Sequence, residues 1–418
     1  HAGQKCSASS LLILVGSAGR SSRIARQLVD AAASLRVGLP ASLDSQVGPV
    51  VVPDDEKAVR GLTTLGEGEH WVLTPRYLGD GLWTPGIRAG VVPGSEFHLT
   101  EYFAPVLGVM RVDTLEDAID AVNEVDYGLT SGLHTLDSAE LATWLEGIEA
   151  GNLYVNRGIT GAIVRRQPFG GWKRSAIGST TKAGGPSYLL GLGDIESVPG
   201  ATAAVEATNA ETLAPSVLAL SGAAAPYLSA DEAAELTRAV RADAAAWASD
   251  YGANRDVTGM ACERNVLRYR PTPVLVRAGS GTPLVDTVRV LAAGLLAGGP
   301  IGLSVADTLP QPVLELLESL GIEVTGEDEA SWDSRLSMVA NSGGLGMRVR
   351  VLGPRDETSA QRWARASRAS SGSPDVALYT GDVTPCPHSE LLPFLREQAV
   401  SITNHRFGTP LDLAEELL

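Results

Sequence analysis

The sequence predicts a mixed α/β protein that ends in a Rossmann-like parallel α/β domain. Three observations carry this. In the first half, amphipathic helical stretches are interleaved with short apolar runs bounded by turn residues. The composition changes near residue 199. Beyond residue 216, strands alternate at short intervals with helices of about ten residues, the pattern of βαβ units and a parallel sheet.

In chain order, Ser21–Leu35 reads as a helix with Ile24, Leu28, Ala31 and Leu35 on one face. PVLGVMRV (105–112) is an apolar run suited to a strand. Thr114–Glu124 opens on a capping-box pair, Thr114 and Asp117. Ser138–Ile148 is a third helix, stopped by Gly151, and GNLYVN follows as a strand. Residues 199–215 are small and weakly periodic and contain no large aromatic. They suit an interdomain linker, with an alanine-rich helix as the alternative. Ser229 and Glu232 form a second capping box before a helix running towards Ser249. PVLVRAG, PIGLSV, IEVTG, RVRVLG, PDVALYTG and AVSITN then read as strands. Between them LVDTVRVLAAGLLAGG, VLELLESLG, ETSAQRWARASR and SELLPFLREQ read as helices. The expected organisation is a domain over 1–198, a linker over 199–215 and a second domain over 216–418.

Several function classes drop out. The net charge of −16 opposes a nucleic-acid partner, whose phosphates it would repel. No run approaches the ~18 apolar residues that a membrane span needs. Cys6, Cys262 and Cys386 lack metal-ligand spacing and form no even disulfide framework, so no metal site and a reducing, cytoplasmic setting are expected. Gly279 and Gly281 are half of a GxGxxG turn, but Leu284 holds the third glycine position and no acidic residue clearly ends the next strand. The second domain therefore reads as structural rather than nucleotide-binding.

Cys6 sits in HAGQKCSASS, with Gly3 allowing close backbone approach, Lys5 adding positive charge and Ser7 a hydroxyl. A free thiol with a pKa of ~8.5 is only a few per cent ionised at neutral pH, so a nucleophile needs a base or a depressed pKa. These residues alone leave a catalytic thiol and a structural one both open. Three further stretches bear on the choice: TEYFAPVLG (100–108), RQPFGGWKRS (166–175) and KAGGPSYL (182–189). Together, and in this order, the four resemble the nucleophile loop, the Glu-x-Phe-Gly-Pro cofactor motif and the Pro-Phe-Gly-Gly-x-Lys-x-Ser motif of the aldehyde dehydrogenase superfamily. TGAIVRRQPFGG followed by TKAGGPSYL is similar to the glutamate-γ-semialdehyde (pyrroline-5-carboxylate) dehydrogenases, and particularly to the aldehyde dehydrogenase module of bacterial proline utilization A. The resemblance covers roughly residues 1–198.

The resemblance implies an oxidoreductase of proline catabolism that oxidises glutamate γ-semialdehyde to glutamate with NAD. Cys6 would be the nucleophile, and Glu101 and Phe103 would hold the cofactor's ribose and nicotinamide end. Gly161 and Ala162 would present amides to the substrate's α-carboxylate, assisted by the Ser7 hydroxyl, and Phe169 would wall its aliphatic part. Ala104 replaces the family's glycine. The family's general base, second oxyanion donor and Gly-Ser-Thr cofactor turn precede the cysteine by more residues than this chain has, so the chain alone is expected to be inactive. FAD would belong only to a proline dehydrogenase domain of a larger bifunctional parent, which could be membrane-peripheral and a homo-oligomer. Residues 216–418 faintly resemble a degenerate cofactor-binding half of the same family. A stand-alone dehydrogenase with an appended domain, and a non-catalytic scaffold, are the alternatives.

Overall fold

The computed structural model describes residues 1–179, 181–193, 213–341, 346–411 and 413–418. Of the expected linker, 199–212 lies outside the described residues. Two compact units emerge, His1–Gly161 with Leu411–Leu417, and Ala162–Pro410 with Leu418. Residues 162–193, grouped by sequence with the first domain, thus pack within the second unit.

The first unit is built on a four-stranded sheet. Strand β1 (Leu11–Val15) is followed by helix α1 (Ser22–Ala33), whose Ser21 side chain caps the Ile24 amide. The helix stops two residues short of Leu35, which is left exposed. Helix α2 (Glu56–Thr63) and strands β2 (His70–Leu73) and β3 (Gly86–Val91) follow, then a single turn α3 (Glu96–Leu99) and strand β4 (Val106–Val112). The spatial order is β1-β4-β3-β2, with β1, β4 and β3 parallel and β2 antiparallel. Helix α4 (Leu115–Asn123) carries the expected Thr114/Asp117 capping box. Strand β5 (Thr130–Leu133), helix α5 (Ser138–Gly147) and strand β6 (Asn152–Val155) complete a βαβ unit, β5 and β6 pairing in parallel.

The second unit holds the expected Rossmann-like sheet. Helices α6 (Pro215–Ala224) and α7 (Ala230–Ala246) come first, α7 behind its Ser229/Glu232 capping box and ending in a π turn over Trp247–Tyr251. Strand β7 (Glu263–Pro271) precedes the alternation β8 (Val274–Ala278), α8 (Leu284–Ala297), β9 (Ile301–Val305), α9 (Gln311–Ser319), β10 (Glu323–Gly326), α10 (Glu329–Asn341), β11 (Met347–Leu352), α11 (Ser359–Ala369) and β12 (Val376–Tyr379). The five strands β8 to β12 are all parallel, in the order β10-β9-β8-β11-β12. That is the order of a doubly wound fold, with the direction of winding reversing beside β8. Helix α8 is apolar almost all round and packs at the centre of the largest core, with Val288, Val290, Leu291 and Ala293 fully buried.

One expected element is wrong. SELLPFLREQ is helical only over α12 (Pro387–Leu391) and a 3-10 turn to Phe394. Pro393 has no amide to donate and ends the helix. From Leu395 the chain enters strand β13 (Leu395–Thr403), which pairs antiparallel with all nine residues of β7. Strand β7 has no counterpart among the expected elements.

Candidate active site

The site is set by strand register. Because β1 and β4 are parallel neighbours, with Leu11 opposite Gly108, the loops that enter them lie at the same edge of the sheet. One loop carries Cys6 and Ser7, the other Glu101 and Phe103. The ladder extends back into the loops through Gly108 N–H donating to Ser10 O at 3.0 Å. Further in, Gly3 presses against the Ala104–Pro105 peptide. A Cβ there would stand 2.2 Å from Ala104 O, and Gly3 has a φ of +70°, so only glycine serves. The Cys6 loop is further held by Gln4, whose Oε1 accepts from the Val51 amide at 2.8 Å, and by the Ala8 amide donating to Lys5 O at 2.9 Å. Cys6 is a free, exposed thiol, while Ser7 next to it is buried.

The 101–105 segment rests on a rigid platform. Tyr102 is buried, stacked on Phe97 with centroids 5.1 Å apart, and its hydroxyl donates to Glu96 Oε1 at 3.1 Å. Beneath it the Arg88 guanidinium lies 4.1 Å from the Phe97 centroid and 4.9 Å from that of Trp71. Arg88 is buried, paired with Glu69 at 2.8 Å and donating to Gly61 O. Anchoring Tyr102 inward turns its neighbours outward. Glu101 is exposed, and Phe103 adopts a φ of +53° with 36% of its surface exposed. Such a conformation is costly for a bulky residue and marks a position the surroundings over-determine. An outward carboxylate beside an outward ring fits a ribose and a nicotinamide, so the residues present suit the cofactor end the sequence implied.

Gly161 closes the first unit. It has a φ of +117° with nothing within 4 Å of a Cβ, so its backbone conformation rather than crowding asks for glycine. Its carbonyl accepts from the Tyr154 hydroxyl at 2.7 Å. Tyr154, on β6, is buried, its phenol is pushed up by that burial, and Cys6 is close enough to push it further. The sequence reading missed Tyr154, although it lies two residues from Asn152 on the same face of the GNLYVN strand. Ala162 and Phe169 belong to the second unit. Ala162 is exposed, and half-buried Phe169 exchanges both backbone hydrogen bonds with Ala183, each at 2.9 Å.

Elsewhere in the second unit, Asp307 stands two residues beyond β9, where the sequence showed no clear acidic candidate. It lines a small cavity with Gly279 and Thr282, but its carboxylate is turned to the glycine turn. Its Oδ2 accepts from the Gly281 amide at 2.7 Å, and the Ser280 amide donates to Glu329 Oε1 at 3.4 Å. The glycine turn that would cradle a phosphate has its amides occupied by the protein's own carboxylates. A cavity of about 560 Å³ lies further round the unit, lined among others by Trp172, Lys182, Tyr379, His388 and Glu397. None of the seven sequence-derived site residues lines it. Burial pushes Lys182 there down to about 7, against the pull of Glu397. Among the described residues no cluster suited to a metal ion occurs, and no helix is long and apolar enough to cross a membrane.

Cys386 carries a perturbed thiol. A hydrogen bond from His388 and the amides of the turn lower its thiol from 9.0 to about 7, outweighing its half-burial. Cys386 is therefore expected to react with iodoacetamide at neutral pH, with its rate half-maximal near pH 7. His388→Asn should move that midpoint upward. A pH–rate profile followed by peptide mass spectrometry measures this, and a Cys386 silent below pH 8 would refute it. Labelling experiments on Cys6 must accordingly remove Cys386 first.

Residues 1–192 match the aldehyde dehydrogenase family. The chain's relatives are narrower than the family. The chain is 34% identical to a 1-pyrroline-5-carboxylate dehydrogenase of Geobacillus over 191 residues, 45% of this chain and 36% of that protein. It is 31% identical to the bifunctional protein PutA of Rhizobium meliloti over 338 residues, 78% of this chain and 26% of that one. Among solved structures, proline utilization A from Corynebacterium freiburgense superposes with a TM-score of 0.74 at 38% identity, covering 98% of this chain and 36% of that one. The chain thus spans between about a quarter and just over a third of the length of these relatives.

Proposed function

We propose that this chain supplies the nucleophile and part of the cofactor seat for the NAD-dependent oxidation of L-glutamate γ-semialdehyde to L-glutamate in proline catabolism, an activity of the full-length gene product. The observation that carries this is the packing of Gly3 on Ala104–Pro105, which ties the Cys6 loop to the segment presenting Glu101 and Phe103. The similarity to 1-pyrroline-5-carboxylate dehydrogenases and to PutA supports the substrate class.

Cys6 Sγ adds to the aldehyde carbon, forming a C–S bond, and the new oxyanion is met by the Cys6 backbone N–H. Bound NAD, when present, supplies the hydride acceptor. Glu101 accepts from a ribose hydroxyl and Phe103 supports the nicotinamide end. The resulting Cys6 thioester is cleaved by water, regenerating the thiol. The balance is aldehyde, NAD⁺ and water going to carboxylate, NADH and two protons. The Gly161–Ala162 turn receives the α-carboxylate, because backbone amides presented by a glycine turn suit an anion without side-chain crowding. The Ser7 hydroxyl adds a donor for that carboxylate.

Residues 1–198 then form the catalytic portion, and 216–418 a structural domain, a role supported by the self-occupied Gly281 turn. FAD is assigned only to a proline dehydrogenase portion of the full-length product, and the setting to the cytoplasm. The test is NADH formation by that product with L-glutamate γ-semialdehyde, compared with propanal and with no aldehyde. Preferential oxidation of the semialdehyde is expected, and no turnover above the propanal rate would overturn the reading.

A further inference from the structure

We infer that Tyr154 is a positioning residue that aims the carboxylate-binding turn and so sets the enzyme's preference for an amino-acid aldehyde. This rests on the function proposed above. The Tyr154 hydroxyl donates to Gly161 O at 2.7 Å, while the Asn152 side chain hydrogen-bonds to the phenol. With Asn152 as donor to the phenol oxygen, the phenol proton is committed to Gly161. Burial keeps the phenol protonated over the working pH range, so the donor is always present.

The consequence follows from peptide geometry. In a planar trans peptide the C=O and the following N–H point in opposite directions. The chain contains no cis bonds among its described residues. Fixing the Gly161 carbonyl onto Tyr154 therefore fixes the Ala162 N–H in the opposite direction, away from the β6 strand. Gly161 is exposed at a φ of +117°, a conformation with no intrinsic preference for this orientation, and no atom lies within 4 Å of its Cβ direction to hold it. Tyr154 is the side chain that supplies the constraint, and it is itself locked into β6, at 1% exposure and near Cys6. The direction in which the carboxylate-binding amide points is thereby set by one buried phenol.

The experiment uses Tyr154→Phe in the full-length gene product, assayed with L-glutamate γ-semialdehyde and with butanal, which lacks the α-carboxylate. One lost hydrogen bond should raise KM for the semialdehyde roughly three- to ten-fold, with kcat within about two-fold and both constants for butanal unchanged. Gly161→Ala, which strains the same turn, should also raise KM for the semialdehyde. A loss shared equally by both aldehydes would place Tyr154 at Cys6 rather than at the turn and overturn the inference, as would an unchanged KM in both variants. A wild-type product that does not oxidise the semialdehyde is a separate outcome, removing the function reading and this inference with it.

Discussion

Asp243→Ala is expected to destabilise the second unit by ~3–5 kcal/mol. Asp243 on α7 and Arg289 on α8 meet in a two-pronged pair, Nη1 to Oδ2 at 2.5 Å and Nη2 to Oδ1 at 2.9 Å, with both residues at most 3% exposed. Arg289 sits in the middle of the most buried helix of the chain, where no water can replace its partner. Its remaining bond, from Nε to Thr384 O at 3.1 Å, satisfies one donor and none of the charge. Removing the carboxylate therefore leaves a buried guanidinium uncompensated. Replacing both partners together, Asp243→Leu with Arg289→Met, should recover most of the loss, since apolar residues of similar volume fill such sites without the desolvation penalty.

The pH dependence has a definite sign. Burial raises the Asp243 carboxyl from 3.8 to about 6 despite the pull of Arg289. A raised value in the folded state contributes stability that is present below the unfolded value and lost as pH rises through the folded one. The gap between wild type and Asp243→Ala thus widens on acidification from pH 7 to pH 5. Urea unfolding of the 418-residue chain at the two pH values measures both effects. A single variant within ~1 kcal/mol of wild type would show that the site relaxes or hydrates, contrary to a buried pair.

The parallel sheet of the second unit was legible because each of its strands is a short apolar run between helices whose ends carry their own signals. Ser229 with Glu232 and Gly298 in its left-handed conformation mark boundaries within a residue or two. What was not legible is pairing between distant segments. β7 and β13 stabilise each other over nine residues, and neither ERNVLRYRP nor LREQAVSIT announces a partner more than a hundred residues away. The LREQ stretch even favours a helix locally until the ladder overrides it. At the site, the four motifs and the resemblance they carry pointed to Cys6, Glu101 and Phe103, but not to what holds them. Arg88 reads in sequence as a surface cation, yet lies buried under Tyr102. Tyr154 reads as a core aromatic, yet its polar end reaches the Gly161 turn. Asp307 escaped notice because its register to Gly281 exists only in three dimensions. In each case the missing information was which backbone group a side chain reaches.

Cys6→Ser in the full-length gene product is expected to lose roughly 10⁴-fold or more in kcat while leaving NAD binding unchanged, the scale of effect when a covalent nucleophile is removed. Serine preserves the shape of the loop. Cys6 is exposed and makes no disulfide, so the exchange neither opens a cavity nor strands a buried partner. The Gly3 contact with Ala104, the buried Ser7 and the outward Phe103 should all survive it. Chemistry and binding are therefore separable in this variant. What changes is the attacking atom, because a hydroxyl is far less ionised than a thiol at neutral pH and a poorer nucleophile towards a carbonyl. Acid-quenched wild type incubated with semialdehyde and NAD should also show a thioester mass increment on the peptide containing Cys6, and the variant none. An unchanged increment in Cys6→Ser would move the covalent step to another residue, with the activated Cys386 the first to examine. Retention of more than about a tenth of the activity would instead argue against a covalent route, since no neighbouring hydroxyl or carboxylate in the Cys6 loop could replace a thiol at that rate.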